Sequence, residues 1–295
     1  VTFLGRVLAI KPRVNNKYYK LILFAGMACS TALAQTDSPV QATARPLGLC
    51  IADDVKLAGS DARSANFQSG VLPSVENLVN VKLSERQAIN DSAMLLDPSK
   101  LSLATATDVR IYFVGEGAGY HNSLGFNVNH SGVLGGDPKL IFPDASSTDT
   151  YLDGGSSGSL RRTASEPLLP GDFVDLGMQS AGSKLDFFLI ADGAHGGTNV
   201  YSTNQAVNPD HINHVVSFST TKDSPYLIVG FEDLWGGGDR DFNDCIFAID
   251  LGKTNVAQLR ALTTAPEPAL FLTLGSFLAV LMAVKRRTAG QADTV

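Results

Sequence analysis

Charged side chains are scarce in this sequence, at 18% of residues against the ~25% of an average soluble chain. Cysteine is scarcer still: three in 295 residues, too few for a small scaffold stapled by disulfides. There is no basic excess either. The 23 basic residues are outnumbered by 29 acidic ones, for a formal net charge of −6, which argues against a face built to neutralise nucleic-acid phosphates. Nor is the chain poor in apolar residues, whose 44% share is incompatible with a disordered polyelectrolyte. Long uncharged apolar runs are confined to the two ends.

The first run follows a basic segment, Arg6, Lys11, Arg13, Lys17 and Lys20, that contains no acid. It extends from Leu21 to Ala34 and closes on Ala32-Leu33-Ala34. A basic n-region, a short h-region and small residues before the cut define a secretory signal peptide over residues 1–34, with cleavage between Ala34 and Gln35. A buried core helix is the alternative, and the flanks disfavour it. Cys29 raises the thought of a lipoprotein, but Gly26-Met27-Ala28 lacks the leucine usual three residues before a lipidated cysteine.

The second run, Ala269 to Val284, is preceded by Pro266-Glu267-Pro268 and followed at once by Lys285-Arg286-Arg287. Its length in a helix is about 24 Å, short of a ~30 Å hydrocarbon core, so a weak or processed transmembrane span is expected. The basic triplet predicts a cytoplasmic C-terminus, and everything between the two runs is then exported. Proline-glutamate-proline, a short apolar helix and a basic stop over residues 265–287 resemble the PEP-CTERM sorting signal, with 288–295 as a tail. The resemblance implies handling by an exosortase-type membrane enzyme and a destination at the surface of an exopolysaccharide-producing Gram-negative bacterium. Without the two ends, residues 35–265 hold 15 basic and 27 acidic residues, a net of −12.

This exported middle reads as all-β: an antiparallel β-sandwich or jelly-roll-like domain over 105–252, flanked by an N-terminal lobe or extension at 35–104 and a linker at 253–264. The clearest strands are Asp108–Val114, Lys184–Ala191, His214–Ser219, Tyr226–Phe231 and Cys245–Ile249, separated by Gly-, Asn- and Asp-rich turns. Val109, Ile111 and Phe113 alternate with Arg110 and Tyr112, which predicts one buried face. The run Leu185–Ile190 is nearly continuous in apolar residues and predicts a central strand. Val75–Ile89 is open between helix and strand. Gly154–Gly158 satisfies G-x-S-x-G, but no helix pattern follows, so a loop is expected rather than a nucleophile elbow.

Chemistry concentrates in Gly230–Asp244, where Glu232, Asp233, Asp239, Asp241 and Asp244 place five carboxylates, and Asn243 a carboxamide, within 13 residues. Like charges so dense call for a cation, and hard oxygen donors suit Ca²⁺. Gly236-Gly237-Gly238 lets the backbone curl around it. An EF-hand is rejected, because Asp244 replaces the sixth-position glycine and Cys245–Ile249 is strand-patterned. Extended chain from Asp244 to Asp250 spans about 20 Å, too far for shared coordination. The alternative is a solvated turn whose acids cap backbone amides or pair with Arg240.

The run Phe231-Glu232-Asp233-Leu234 through Asp239-Arg240-Asp241-Phe242-Asn243-Asp244, with Phe187–Gly193, Asn208 and Asp210-His211 upstream, resembles the DUF4114 domain, a family of unknown function. The resemblance places that domain at about 165–252. Phe113–Gly125 is similar to segments found ahead of it in surface proteins.

Once Cys29 leaves with the signal peptide, Cys50 and Cys245 are the remaining thiols. Pairing in an oxidising exterior, worth about 4–5 kcal/mol by loop closure, and two buried free thiols are equally open. His211 and His214 invite a zinc reading, disfavoured because residues three apart on a strand face opposite sides. Glu116 and Tyr120 are read as ligand contacts or as parts of a glycine turn, and Trp235 as a sugar platform or a shield for the loop.

The leading functional expectation is a non-enzymatic surface or matrix protein, braced by calcium and binding extracellular polymer or a neighbouring protein. A calcium-stabilised coat or spacer is the second. A glycan hydrolase using a pair such as Glu232 and Asp241 is the third, since such acids must face each other across a cleft.

Overall fold

A computed structural model describes residues 40–83, 95–149, 152 and 161–265. The signal segment, Pro266-Glu267-Pro268, the apolar run with Lys285-Arg286-Arg287, and the Gly154–Gly158 loop lie outside the described residues. Among the described residues no helix is long and apolar enough to cross a membrane.

Among the described residues eleven strands form two sheets. They are β1 (Cys50–Ile51), β2 (Leu95–Leu96), β3 (Thr107–Gly115), β4 (Ser123–Val128), β5 (Lys139–Phe142), β6 (Phe173–Gln179), β7 (Leu185–Ile190), β8 (Val200–Ser202), β9 (Val215–Phe218), β10 (Tyr226–Phe231) and β11 (Cys245–Asp250). One sheet has the order β1-β5-β4-β7-β8 and the other β2-β9-β10-β11-β3-β6. Every pairing is antiparallel except β1 with β5. The fold is all-β with few helices. All five strands expected from the sequence are present, and β7 lies between β4 and β8 with every residue buried.

The main core is shared by the two sheets. Val109, Ile111 and Phe113 from β3 join Leu124, Phe187 and Leu189 from the other sheet, and aromatic rings interlock across it, Phe113 on Phe142 at 5.9 Å and Phe187 on Phe247 at 5.5 Å between centroids.

The other face of β3 was expected to be open, and it is not. Two helices, α1 (Ala62–Gly70) and α2 (Leu72–Lys82), cover it, and Phe67, Val75 and Val79 pack on Tyr112, Val114, Ile228 and Ile246. Phe67 stacks flat on Tyr112 at 3.8 Å. α1 starts where the Asp61 carboxylate accepts the Ser64 amide at 2.7 Å, a standard N-cap. The same carboxylate accepts from Arg110 Nη1 at 2.9 Å, and Arg110 also donates to Asp175 at 2.6 Å. Arg110 therefore points outward on β3 yet is buried, because it staples the helix layer to the sheet. Its hydrogen bond holds Asp61 down at about 2.

Residues 40–104 are an extension woven into both sheets rather than a separate lobe, since β1 pairs with β5 and β2 with β9. The expected linker is instead a helix, α3 (Gly252–Thr264), which sends Val256 and Leu259 into the main core. Buried Asn255 fixes it by accepting the Thr105 amide at 3.0 Å and donating to the Leu251 carbonyl at 2.8 Å.

The Cys50–Cys245 bridge is not made. Cys245 is a free, fully buried thiol on β11, in the interior of one sheet, while Cys50 belongs to the edge strand of the other. Burial pushes the Cys245 thiol far above its ordinary value.

Candidate metal centre

The acidic loop connects β10 to β11, two neighbouring strands paired from Tyr226↔Asp250 to Phe231↔Cys245. Register continues past the last pair: the Asp244 amide donates to the Phe231 carbonyl at 3.1 Å, and the Asp233 amide donates to Asp244 Oδ2 at 2.8 Å. Between these closures the chain makes a left-handed coil, with positive φ at Gly236, Gly237, Gly238, Arg240 and Phe242. Left-handed backbone is costly for residues with a Cβ, so the loop is over-determined by its contacts. At Gly238 a Cβ would collide with Glu232 Oε1. The glycine is what lets the backbone fold over that carboxylate.

The coil gathers the acids into two groups that share Glu232. Carboxylate oxygens of Glu232, Asp239 and Asp241 lie within 4.8 Å of one another, and so do those of Glu232, Asp233 and Asp244. Asn243 is tied to the first group through Asp241. Its amide donates to Asp241 Oδ1 at 3.1 Å and its Nδ2 to Asp241 Oδ2 at 2.5 Å, while its carbonyl accepts the Gly117 amide at 3.0 Å. Its Nδ2 braces Asp241.

The electrostatics follow from burial. Glu232 and Asp233 are buried, and Glu232 is pushed up to about 7, first by desolvation and then by Asp239, Asp241 and Asp233, against the stabilising Arg240 amide. Asp244 is pushed up to about 9 by desolvation and by Asp233, Glu232 and Asp241. Asp233 is raised for the same first reason, with Asp192 and Asp239 adding to it, although Asn122 Nδ2 donates to its Oδ2 at 2.7 Å. Among the described residues no Lys, Arg or His side chain forms an ion pair with Glu232, Asp233 or Asp244. Such a cluster must take up protons or a cation. Its hard oxygens fit Ca²⁺.

Three residues that sequence reasoning passed over support the loop from outside. Asn122, just before β4, donates to Asp233 and accepts the Asp192 amide on its Oδ1 at 3.0 Å. Asp210 accepts the Gly236 amide at 3.0 Å and His214 Nε2 at 2.8 Å. It is held below the usual carboxylate range: burial works to raise it, and the Gly236 amide, His214 and the Ile212 amide outweigh that. Tyr201 stacks on His214 with ring centroids 3.7 Å apart. Its hydroxyl is buried and has no hydrogen-bond partner among the described residues. Desolvation first, then Asp210, Asp233, Tyr120 and Glu232, push this phenol up to about 12. No spacing pattern could have linked β8 to a loop more than 30 residues away.

The zinc reading of His211 and His214 does not assemble. His211 is exposed in a left-handed turn, whereas buried His214 spends both ring nitrogens, on Asp210 and on the Glu232 carbonyl at 3.0 Å. Glu116 is a brace, accepting the Ser147 and Ala118 amides at 3.0 and 2.9 Å, and burial raises it to about 7. A nearby serine, histidine and aspartate also meet. Ser146 Oγ and Asp144 Oδ2 both approach His121 Nδ1, at 3.0 and 3.3 Å. A relay needs the two partners on opposite ring nitrogens, and this trio shares one. Leu234 and Trp235 stand out at the loop tip, Trp235 with 61% of its surface exposed.

No curated protein and no solved structure matches the chain. The match that does exist starts later than the expected 165: it runs from just before β7 through β11 and contains the whole acidic loop. Residues 180–252 match the family model of DUF4114, described as a domain of unknown function.

Proposed function

We propose that this is an exported, non-enzymatic surface or matrix protein whose β-domain is braced by calcium at the β10–β11 loop and binds an extracellular polymer or a neighbouring protein. The observation that carries the reading is the pair of acid groups sharing Glu232, drawn together by a left-handed coil and lacking basic partners at its buried members. Exposed Leu234 and Trp235 beside them supply a surface on which a sugar ring or an apolar side chain can stack. Export through a signal peptide ending at Ala34, and sorting at residues 265–287 by an exosortase-type enzyme, belong to the same proposal and rest on the sequence pattern. The test is binding of the full chain to exopolysaccharide fractions of the producing strain, in calcium and in chelator. Calcium-dependent retention supports it, and indifference to every fraction in both conditions refutes binding to the polymer.

A second reading, a coat or spacer for which calcium is purely a brace, is favoured by the loop's inward construction. Asp233 and Asp244 are fastened to each other and to the strand ends. Trp235→Ala separates the two: it abolishes polymer retention in the first reading and changes nothing in the second.

A further inference from the structure

The segment Glu232–Gly236 carries side chains of opposite fate. Glu232 and Asp233 are buried and belong to the acid groups, while Leu234 and Trp235 are exposed. Its backbone is gripped at both ends from outside the loop. At the first end the Glu232 amide donates to the His214 carbonyl at 2.9 Å, and the Glu232 carbonyl accepts from His214 Nδ1 at 3.0 Å. At the far end the Gly236 amide donates to Asp210 Oδ2 at 3.0 Å. His214 Nε2 closes the clasp by donating to that same Asp210 oxygen at 2.8 Å.

The clasp is buried where the tip is not. His214 is fully buried, and the Asp210 side chain keeps 3% of its surface exposed. Tyr201 lies flat on the His214 ring at 3.7 Å and an interplanar angle of 14°, so the ring is held from its face as well as from its two nitrogens. Hydrogen bonds in such surroundings are stronger than in water. Asp210 is an acid in reach of the loop, yet it belongs to neither acid group. Its carboxylate is spent on Gly236, His214 and, through Oδ1, the Ile212 amide at 3.2 Å. The clasp engages only the backbone of Glu232 and Gly236, so it neither competes with a cation for the Glu232 carboxylate nor needs one in order to form.

We propose that Asp210 and His214 are positioning residues for the acidic loop: they fix Glu232–Gly236 in its binding shape before a cation arrives, with Glu232 and Asp233 turned inward and Leu234 and Trp235 outward, and they do not touch the ion. The proposal rests on the calcium reading given above and extends it. Its physical content is preorganisation, since a segment that is already ordered loses less conformational freedom on binding.

Trp235 is the chain's sole tryptophan, so its fluorescence anisotropy reports this segment alone, and amide hydrogen exchange at Gly236 reports the bond to Asp210. Both are read on the chelator-stripped full chain, and calcium is then titrated by calorimetry. In the wild type, slow exchange at the exposed Gly236 amide and a rotationally restricted Trp235 are expected without calcium. Asp210→Ala is expected to free Trp235 and to weaken calcium binding roughly tenfold, the scale of one lost hydrogen bond to a charged group. Asp239→Asn/Asp241→Asn is the counterpart, expected to lose calcium and to keep Trp235 restricted. Rapid exchange at Gly236 in the wild type overturns the positioning role, and that measurement depends on no variant's folding. An unchanged calcium affinity in Asp210→Ala overturns it too. So does a weakened affinity with Trp235 as restricted as before, which makes Asp210 a ligand. A wild type that takes up no calcium while Gly236 stays protected overturns the calcium reading and leaves the clasp standing.

Discussion

Asp233 and Asp244, eleven positions apart, are joined by the Asp233 amide donating to Asp244 Oδ2 at 2.8 Å. That bond keeps two carboxylates side by side where β10 and β11 end, and burial first, then repulsion from Asp233, raises Asp244. Asparagine at 244 keeps the accepting oxygen and removes the charge. Asp244→Asn is therefore expected to stabilise the calcium-free protein at neutral pH by about 1–3 kcal/mol, a rise of a few degrees in Tm, and to shrink the calcium-induced rise. Thermal melting in chelator and in calcium measures both.

The pH dependence has a definite sign. Glu232 and Asp244 sit at about 7 and about 9 in the folded chain, above their ordinary 4.5 and 3.8, so the folded state holds more protons than the unfolded state between those limits. Calcium-free stability accordingly falls as pH rises from about 4 toward 9. Saturating calcium displaces those protons and flattens the profile. Melting curves from pH 5 to 9, in chelator and in calcium, are expected to diverge as pH rises.

Gly238→Ala gives a steric test. A Cβ there meets Glu232 Oε1 in a left-handed backbone, so the carboxylate shared by both acid groups must move. Calcium affinity is expected to drop at least tenfold, while the calcium-free Tm changes by only a few degrees, because the loop tip lies outside the core. Calorimetry on the variant checks it.

The helix layer makes a prediction of its own. Phe67 lies flat on Tyr112 and edge-on to Tyr226 at 5.4 Å, fully buried. Phe67→Ala is expected to cost about 3–5 kcal/mol, read by denaturant unfolding. Were the outer face of β3 only lightly covered, the loss would stay under about 1 kcal/mol.

The strands and the acidic loop were legible because their signals are local. Alternation in β3, continuity in β7 and six oxygen donors within a short stretch can all be read without knowing what lies opposite. What was missed depends on tertiary contact. Tyr112 and Arg110 look solvent-facing until Phe67 and Asp61 cover them, and α1 and α2 are too short and weakly patterned to announce themselves. α3 reads as a linker because its buried side chains are few, Asn255, Val256 and Leu259. Asn243 carries a ligand-like carboxamide, whose Nδ2 donates to Asp241. Tyr201 and Asn122 reach the loop only through sheet topology, and the Cys50–Cys245 pairing is not made, since Cys245 stays a free thiol buried within β11.

The central claim is that the β10–β11 loop is a calcium site, and a direct measurement is calcium titration of the full chain and of Asp239→Asn/Asp241→Asn by calorimetry, with melting curves alongside. The account predicts binding heat and an upward Tm shift at millimolar calcium in the wild type, both much reduced in the double variant. No heat and an unchanged melting temperature in the wild type would contradict it.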